Sequence, residues 1–266
     1  MYSDELVALI RDSVRLVPDP AVDLAVMGVN RLGGEPELPE GVGWPEGTNG
    51  PLSFIAQVNL EHVPPGAHMR FLPTSGLLSF FYDAVTQSAW GFDPADRNCW
   101  AVLYSPAALP RRRRPAPANL TSEGRFTPLG LTGVREECFP PWESHDLERL
   151  GIETPWSTYA PVLGDRDEET IHRLVGHPDP VQGDMQHQCQ LASNGIYCGN
   201  GKYMDDPRAR ELMTGSSDWR LLLQVDSSES ETGMMWGDLG RIYFWMRETD
   251  LRDGNWSSSW LVLQCG

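Results

Sequence analysis

The segment from His177 to Cys189 holds the densest group of side chains that could bind a ligand. It contains two histidines, two aspartates and a cysteine, all residue types that bind metals in proteins. Their spacing fits neither an HExxH zinc motif nor a pair of CxxC motifs. A small-molecule pocket, a metal site and a proline-shaped turn whose polar side chains cap helix ends are the three alternatives, and we favour the turn. We predict no metal and no cofactor, and the candidate ligand- or partner-binding residues here are His177, Asp179, Gln182 and Asp184.

Two apolar segments carry a similar pattern and end in the same kind of polar residue. Phe54–Asn59 reads FIAQVN and Leu221–Asp226 reads LLLQVD, and each is followed by a polar loop and a strand-like segment that opens with glycine. This echo predicts an internal duplication. If the halves pair around a pseudo-twofold axis, Gln57 and Gln224 converge on a central cleft. The alternative is that each glutamine satisfies local backbone groups.

Tryptophan and aspartate occur together in a further set of candidates. Trp236 and Asp238 lie in a Trp-Gly-Asp element of the second half, and we expect the turn at 177–184 to lie against residues 236–238. Three more residues could line the rim of the same cleft: Trp44, Trp90 and Asp93. The alternative for these residues is core packing by the tryptophans and turn capping by the aspartates.

The sequence lacks the motifs of common nucleophilic and phosphate-transferring enzymes. There is no G-x-S-x-G elbow, no G-x-G-x-x-G after a strand and no P-loop lysine. Cys189 and Cys198 could act as nucleophiles only beside a base such as His177 or His187. Cysteines of this kind are more often small buried apolar residues. No catalytic residue is predicted, and a protein without enzymatic activity is the favoured class.

The charge of the chain limits which partners it can bind. Its 21 basic and 37 acidic residues give a formal net charge of −16, and such a surface repels the phosphates of nucleic acids. We therefore predict no nucleic-acid binding and favour a basic protein partner. The run Arg111–Arg114 stands out in this acidic chain, and we expect it to lie in an exposed, partly disordered connector rather than to bind an acidic partner.

We expect a cytoplasmic protein with reduced cysteines. The first residues, MYSDELVALI, are acidic and amphipathic and lack the basic and apolar regions of a signal peptide. No apolar run approaches the roughly 18 residues of a membrane-spanning helix, so no membrane association is predicted. The five cysteines include no CxxC pair. The oligomeric state is left open.

Short apolar segments bounded by glycine or proline predict strands, and capped amphipathic segments predict helices. The predicted strands cover 51–60, 76–83, 101–106, 219–227, 240–248 and 259–265. The predicted helices cover 3–16, 144–150, 165–176, 184–193 and 205–215. The fold class is α+β, with predominantly antiparallel β-sheets, flanking helices and two similar halves. One domain spans 1–266, with sub-halves 20–110 and 160–266 joined by an irregular connector near 106–145.

Several of these segments resemble the YwqG family of bacterial proteins of unknown function. The matching motifs are GGEPELPEGVGWP (33–45), GPLSFIAQVNL (50–60), GLLSFFYD (76–83), WGFDP (90–94), LVGHPDPVQGDM (174–185), LLLQVDS (221–227) and MMWGDLGRIYFW (234–245). They occur in order over about residues 30–265. The resemblance implies an α+β fold that is rich in antiparallel sheet and internally duplicated, and it implies no reaction.

Two functions fit these observations. The favoured one is a protein-binding role. Because the resemblance includes relatives near toxin systems, neutralisation of a basic toxin is one form of it, and an acidic surface would speed the capture of such a partner. The alternative is a small-ligand-binding protein or a hydrolase-like enzyme with a cleft between the halves. That cleft would use the segment 177–184 from one side and Trp236 and Asp238 from the other.

Overall fold

The computed structural model describes residues 4–66, 70–152, 155–163 and 170–266. Its strands are β1 (Arg11–Pro18), β2 (Arg31–Leu32), β3 (Glu37–Pro39), β4 (Glu46–Gly47), β5 (Gly50–Pro51), β6 (Ser53–Asn59), β7 (Leu77–Tyr82), β8 (Trp100–Ser105), β9 (Arg111–Arg113), β10 (Leu129–Cys138), β11 (His172–Leu174), β12 (Trp219–Asp226), β13 (Arg241–Arg247) and β14 (Trp260–Gln264). Its α-helices are α1 (Asp4–Val7), α2 (His145–Arg149), α3 (Trp156–Leu163), α4 (Gln186–Ser193), α5 (Ala209–Met213), α6 (Glu229–Thr232) and α7 (Glu248–Asp253). Within the described ranges, no helix has the length and apolar character needed to span a membrane.

Ten strands form one antiparallel sheet in the order β14-β13-β12-β11-β1-β10-β2-β6-β7-β8. The sheet curls until its two edge strands approach each other. The rings of Trp100 in β8 and Trp260 in β14 lie 5.0 Å apart, and Trp100 Nε1 donates a hydrogen bond to the carbonyl of Ser259 at 3.0 Å. The fold is therefore mostly antiparallel sheet, nearly closed on itself, with several short helices around it.

Three strands of the sheet are buried along their whole length. Every residue of β6, β7 and β14 is buried, and a strand that is covered on both faces reads as a continuous apolar run. The six predicted strands are accordingly confirmed as β6, β7, β8, β12, β13 and β14. Phe80 of β7 and Phe244 of β13 meet with ring centroids 5.1 Å apart, so one core joins both halves.

The centre of the sheet differs from the expectation. β1 pairs with β10 over eight residues, from Arg11 opposite Cys138 to Pro18 opposite Leu131. The predicted helix over 3–16 is wrong, because only α1 is helical there. The short run of apolar residues in this segment is compatible with a helix or a strand. It forms a strand because β10 and β11 pair with it on its two edges. The segment 106–145, where we expect an irregular connector, contains β9 and β10. β10 has no recognisable strand pattern in the sequence, because two glycines and three consecutive charged residues, at 135–137, interrupt its apolar residues.

A second predicted helix is also replaced by a strand. Residues 164–169, which belong to the helix predicted over 165–176, lie outside the described residues. Its later part is β11, which pairs with β1 on one edge and β12 on the other. That pairing satisfies the backbone of a segment whose residues are all buried. The predictions over 144–150 and 184–193 are confirmed by α2 and α4, and α5 covers part of 205–215.

The arginine run is ordered by backbone pairing. β9 pairs with β3 and places Arg112 opposite Leu38, so the prediction of a partly disordered connector is wrong. The side chain of Arg113 donates hydrogen bonds to the carbonyls of Leu24 and Val26, the latter at 3.0 Å. Arg112 is exposed and forms an ion pair of 2.9 Å with Glu40. Backbone carbonyls and a carboxylate therefore hold the like charges that would otherwise repel one another.

A buried glutamine on β6 organises the first half of the sheet. Gln57 Oε1 accepts a hydrogen bond from the backbone N–H of Glu37 at 3.0 Å, and Gln57 Nε2 donates to the carbonyl of Val29 at 3.0 Å. Arg31, paired with Gln57 in the sheet, lies 3.3 Å from the Glu37 carboxylate. We call Arg31, Glu37 and Gln57 the first polar node. All three are buried, and the node satisfies backbone groups whose burial without a partner would be costly.

The same arrangement occurs in the second half. Gln224 Oε1 accepts from the backbone N–H of Asp179 at 2.8 Å, and Gln224 Nε2 donates to the carbonyl of Ile171 at 2.8 Å. Arg173, paired with Gln224 in the sheet, lies 3.0 Å from the Asp179 carboxylate. We call Arg173, Asp179 and Gln224 the second polar node. Each predicted glutamine thus joins a strand to the loop that follows the neighbouring strand.

The chain turns in the same way between the arginine and the acidic residue of each node. After β2, Gly33 and Gly34 have φ values of 57° and 74°, and after β11, Val175 and Gly176 have φ values of 51° and 83°. This left-handed region favours glycine, and a Cβ on Gly176 would lie 2.5 Å from the Cβ of Ser13. The turn returns the acidic residue to the glutamine of the adjacent strand.

The two halves differ in the side chain that receives the last backbone N–H of β6 and β12. The N–H of Asn59 donates to Asn30 Oδ1 at 2.7 Å, whereas the N–H of Asp226 donates to His172 Nδ1 at 3.2 Å. Burial, together with two nearby arginines, lowers the pKa of His172 to about 4. The imidazole is therefore neutral in the folded protein at neutral pH and acts as an acceptor.

The contrast between the two arginines of β9 is testable. We expect Arg113→Ala to lower the free energy of unfolding by about 1.5–3 kcal/mol, because hydrogen bonds from a charged group to two carbonyls are lost. Arg112→Ala should cost at most about 1 kcal/mol, since an exposed ion pair contributes little. Urea unfolding of both variants measures the difference, and equal losses would contradict this account of the segment.

His172 should make stability depend on pH. The unfolded imidazole takes up a proton near its ordinary pKa of 6.5, and the folded one only near 4. The free energy of unfolding should therefore fall as pH is lowered through this window, by up to about 1.4 kcal/mol per pH unit. His172→Asn supplies the acceptor that Asn30 supplies in the other half and should flatten this part of the profile. His62→Asn, at an exposed position, is the control; profiles of the same slope for the wild type and His172→Asn would refute the assignment.

Candidate ligand-binding cavity

The second half carries charged residues at strand positions where the first carries neutral ones. In the first half Asn59 pairs with Leu77, and at the corresponding place in the second half Asp226 pairs with Arg241. Arg241 Nε lies 3.0 Å from Asp226 Oδ2. Burial raises the pKa of Asp226, and the nearby guanidinium acts in the opposite direction. An ion pair therefore lies beside the second polar node.

Two side chains of β13 fix the backbone of the second polar node. Arg241 Nη1 and the hydroxyl of Tyr243 both donate hydrogen bonds to the carbonyl of Asp179, at 2.9 and 2.8 Å. The carboxylate of Asp179 is about one quarter exposed, whereas that of Glu37 in the first node is fully buried. The second polar node is thus the one that opens towards solvent.

A cavity of about 590 Å³ lies on this open side. Its wall includes Arg173, Asp179 and Arg241 from the second node and its surroundings. The end of β10, the segment that follows it and α3 supply further residues of the wall. These include Glu137, Trp142, Glu143 and Trp156, and Leu239 also lines the cavity. Its volume falls in the usual range of about 300–1,000 Å³ for small-molecule sites.

Aromatic rings are exposed in the wall of the cavity. Trp142 is 38% and Trp156 52% exposed, and their ring centroids lie 5.5 Å apart at an interplanar angle of 62°. Leu239, at 72% exposure, is the most exposed of the large apolar residues among those described. Large apolar side chains that stay exposed together are typical of binding surfaces.

The charges around the cavity favour a cation over an anion. Arg173 lies 3.1 Å from the Glu136 carboxylate and 3.0 Å from that of Asp179, so two acidic groups already surround its guanidinium. The exposed charges on the cavity wall are Glu137 and Glu143. An anion would meet these carboxylates, whereas a cation would meet two carboxylates and two exposed indole faces.

The predicted residues of the turn at 177–184 have different surroundings and different hydrogen-bond partners. Asp179 belongs to the second polar node and lines the cavity. His177 is buried, with Nε2 2.7 Å from the carbonyl of Leu9. Gln182 has an exposed side chain, and its backbone N–H donates to Gln264 Oε1 at 3.0 Å. Of the four predicted residues of the turn, Asp179 alone lines the cavity, together with Pro178, Pro180, Val181 and Gly183 of the same segment.

Asp184 acts on two helices at once. Its Oδ2 accepts the backbone N–H of His145 at 3.0 Å, and its Oδ1 accepts the backbone N–H of Gln186 at 2.7 Å. These are the first residues of α2 and α4. Burial raises the pKa of Asp184, and these two hydrogen bonds oppose that shift. A single carboxylate thus fixes where two helices begin.

The remaining predicted residues do not line the cavity. Gln57 and Gln224 bind backbone groups of their own halves. Trp236 is fully buried, and its Nε1 donates to the carbonyl of Asp226 at 3.3 Å. Asp238 is exposed. The neighbouring Leu239 lines the same cavity as Asp179, so one residue of the turn and one residue next to the Trp-Gly-Asp element belong to the cavity wall.

Cys189 and Cys198, the two candidate nucleophiles, are unsuited to nucleophilic chemistry. All five are free, and only Cys198 is more than slightly exposed. Burial raises the pKa of Cys198 to about 11 and raises that of Cys189 further above its ordinary value. A thiol with a raised pKa is protonated at neutral pH and is a poor nucleophile.

Sequence reasoning missed the arginines and tryptophans of the cavity. Arg173 carries a readable signal: residues 31–37 read RLGGEPE and residues 173–179 read RLVGHPD, an R-L-x-G-x-P-acid repeat. The helix predicted over 165–176 conceals this repeat, because it places Arg173 in a helix and not in a strand. Trp142 and Trp156 carry no comparable signal, because they lie in separate irregular and helical segments that only the fold brings together.

Comparison with known proteins identifies a family but no activity. Residues 30–265 match the model of a family described as Domain of unknown function (DUF1963). No curated protein matches the chain. The matched region contains both polar nodes and most of the cavity wall. Because it covers most of the sequence, the chain belongs to the DUF1963 family.

Proposed function

We propose that this protein binds a ligand that presents an organic cation, such as a guanidinium or alkylammonium group, in the cavity beside the second polar node. The observation that carries the proposal is that Trp142 and Trp156, whose exposed rings lie 5.5 Å apart, line the same cavity as the acidic residues Glu137 and Glu143. A cation over an indole face gains about 0.5–2 kcal/mol, depending on how far it is desolvated.

The overall charge supports the same choice of ligand. A net charge of −16 attracts cations over a distance and accelerates their association. Inside the cavity, Arg173 and Arg241 are held by carboxylates of the protein, so they offer little to an anionic ligand. The charge of the whole surface and the charges of the cavity wall thus act in the same direction.

The same chemistry is available from two sources. A free small amine or guanidine would fill part of the cavity, and an arginine or lysine side chain of a basic protein would enter it from outside. A basic toxin is one such protein, and its neutralisation remains the narrower form of this proposal. Binding is preferred to catalysis because the charged groups of the second polar node are engaged with one another.

We also propose that the two halves of the sheet derive from an internal duplication, with the cavity arising in the half that diverged. In support, both nodes repeat the same hydrogen bonds, and the register shifts after Phe54 in β6 and after Leu221 in β12. A neutral pair, Asn59 and Leu77, stands in one half where Asp226 and Arg241 stand in the other. On this view the sub-halves 20–110 and 160–266 are copies of one unit.

The aromatic part of the proposal can be tested with a charged and an uncharged probe. We expect butylguanidinium to bind and its neutral analogue butylurea to bind at least about tenfold more weakly, because only the cation gains from the indole faces. Trp156→Leu keeps an apolar side chain and should remove most of this preference. Leu109→Ala, another exposed apolar position, is the control. Calorimetric titration gives both affinities, and equal binding of the two probes by the wild type would refute the cation site.

The source of the cation is tested with a basic peptide. If a protein supplies it, an arginine-rich decapeptide should bind more tightly than butylguanidinium; if a small molecule supplies it, the peptide should bind no more tightly. In either case we expect Glu143→Gln to weaken binding several-fold, because an exposed acid that lines the cavity loses its charge. Glu61→Gln removes an exposed acid outside the cavity and should leave the affinity unchanged. Failure of both ligands to bind would reject the proposed function.

A further inference from the structure

Three potential metal ligands meet where α2 and α4 approach each other. His145 Nδ1 lies 3.5 Å and His187 Nε2 lies 3.6 Å from the same oxygen, Glu148 Oε2. All three atoms lie within 4.8 Å of one another. In a tetrahedral site with bonds of about 2.0–2.2 Å, ligand atoms are separated by about 3.3–3.6 Å. Two of the three separations already have this length, and the third, between the two imidazole nitrogens, is at most 4.8 Å.

A contact with a buried serine orients the ring of His187. Its Nδ1 lies 2.8 Å from the hydroxyl of Ser216, which is fully buried. A metal-binding histidine usually makes such a bond through its second nitrogen, which fixes the tautomer and the direction of the free lone pair. When Nδ1 donates its proton to the Ser216 hydroxyl, Nε2 carries the lone pair and points towards Glu148.

The ring of His145 has a nitrogen that lacks a hydrogen-bond partner among the described residues. Nδ1 of His145 is buried there without a hydrogen bond, and buried polar atoms of this kind need an explanation. The ring packs against that of His187 with centroids 4.5 Å apart. A bound metal ion would satisfy the Nδ1 lone pair and hold the two imidazoles together.

The side chain of Asp184 fixes the backbone of the two helices that carry these ligands. The carboxylate of Asp184 accepts the first backbone N–H groups of α2 and α4, at 3.0 and 2.7 Å. Because His145 begins α2 and His187 is the second residue of α4, this one side chain fixes the relative position of both ligand-bearing turns. Such preorganisation is what distinguishes a site from a chance group of exposed residues.

We propose that His145, Glu148 and His187 bind a divalent transition-metal ion, with zinc as the best match to two imidazoles and one carboxylate. The three protein ligands leave a fourth position open, as in zinc sites that also hold water or a further ligand. Glu148 is 72% exposed, so this side of the site is accessible from solvent. The site is separate from the cation-binding cavity, and neither proposal depends on the other.

The test uses the full-length protein, stripped of metal with a chelator and titrated with Zn²⁺ alone. We expect one equivalent to bind, measured by native mass spectrometry and calorimetry, and the melting temperature to rise with added Zn²⁺ by mass action. Co²⁺ in the same site should give the intense visible absorption of four-coordinate cobalt. His187→Ala should abolish both stoichiometric binding and this spectrum, whereas His62→Ala, at an exposed position elsewhere, should change neither.

A milder variant guards against loss of the fold. Ser216→Ala leaves all three ligands in place and should weaken Zn²⁺ binding about 10–100-fold, as removal of an outer hydrogen-bond partner does in other zinc proteins. The melting temperature of each metal-free variant shows whether it is folded. Absence of stoichiometric binding in the wild type would overturn the proposal. So would unchanged binding in a folded His187→Ala variant.

Discussion

The fold depends on burying an amide side chain that joins two separate stretches of backbone. Gln57 and Gln224 each lie in a strand without access to solvent, and each holds the loop that follows the next strand in the sheet. A buried backbone N–H or carbonyl that loses its partner costs about 1–3 kcal/mol. Replacing either glutamine with an apolar residue of the same size would therefore disconnect a loop from the sheet while leaving the apolar core nearly intact.

The buried glutamine of the second polar node lies beside the charged residues of the cavity. Gln224 fixes the backbone of Asp179, and Arg241 and Tyr243 bind the carbonyl of the same residue. In the first half Glu37, at the corresponding place, is fully buried. The first node is therefore closed and the second is open to solvent, so the proposed binding site lies beside the second node.

How much could be predicted from the sequence follows from where side chains are buried. The strands with continuous apolar runs were identifiable, and the motif around Gln57 and Gln224 marked the organising residues. β1, β10 and β11 were not identifiable, because their place in the sheet is set by pairing with strands that are remote in sequence. The sequence predicts Asp179 as a binding residue. It does not predict Trp142 and Trp156, because they become neighbours only when α3 packs beside the cavity. His145 and Glu148 lie in α2 and His187 lies in α4, so no sequence motif joins them and only the fold brings them together.

The contact between the two edge strands has a consequence for the order of events during synthesis. β8 is made early and β14 late, yet Trp100 rests on Trp260 and on the carbonyl of Ser259. While the second half is still on the ribosome, the strands of the first half have no partner for this edge. Its apolar side chains then stay exposed to solvent for the time needed to add some 150 residues, about 8–30 seconds at usual elongation rates. Because an exposed strand edge of this kind is prone to aggregate, the yield of folded protein depends on this interval as well as on the stability of the finished molecule.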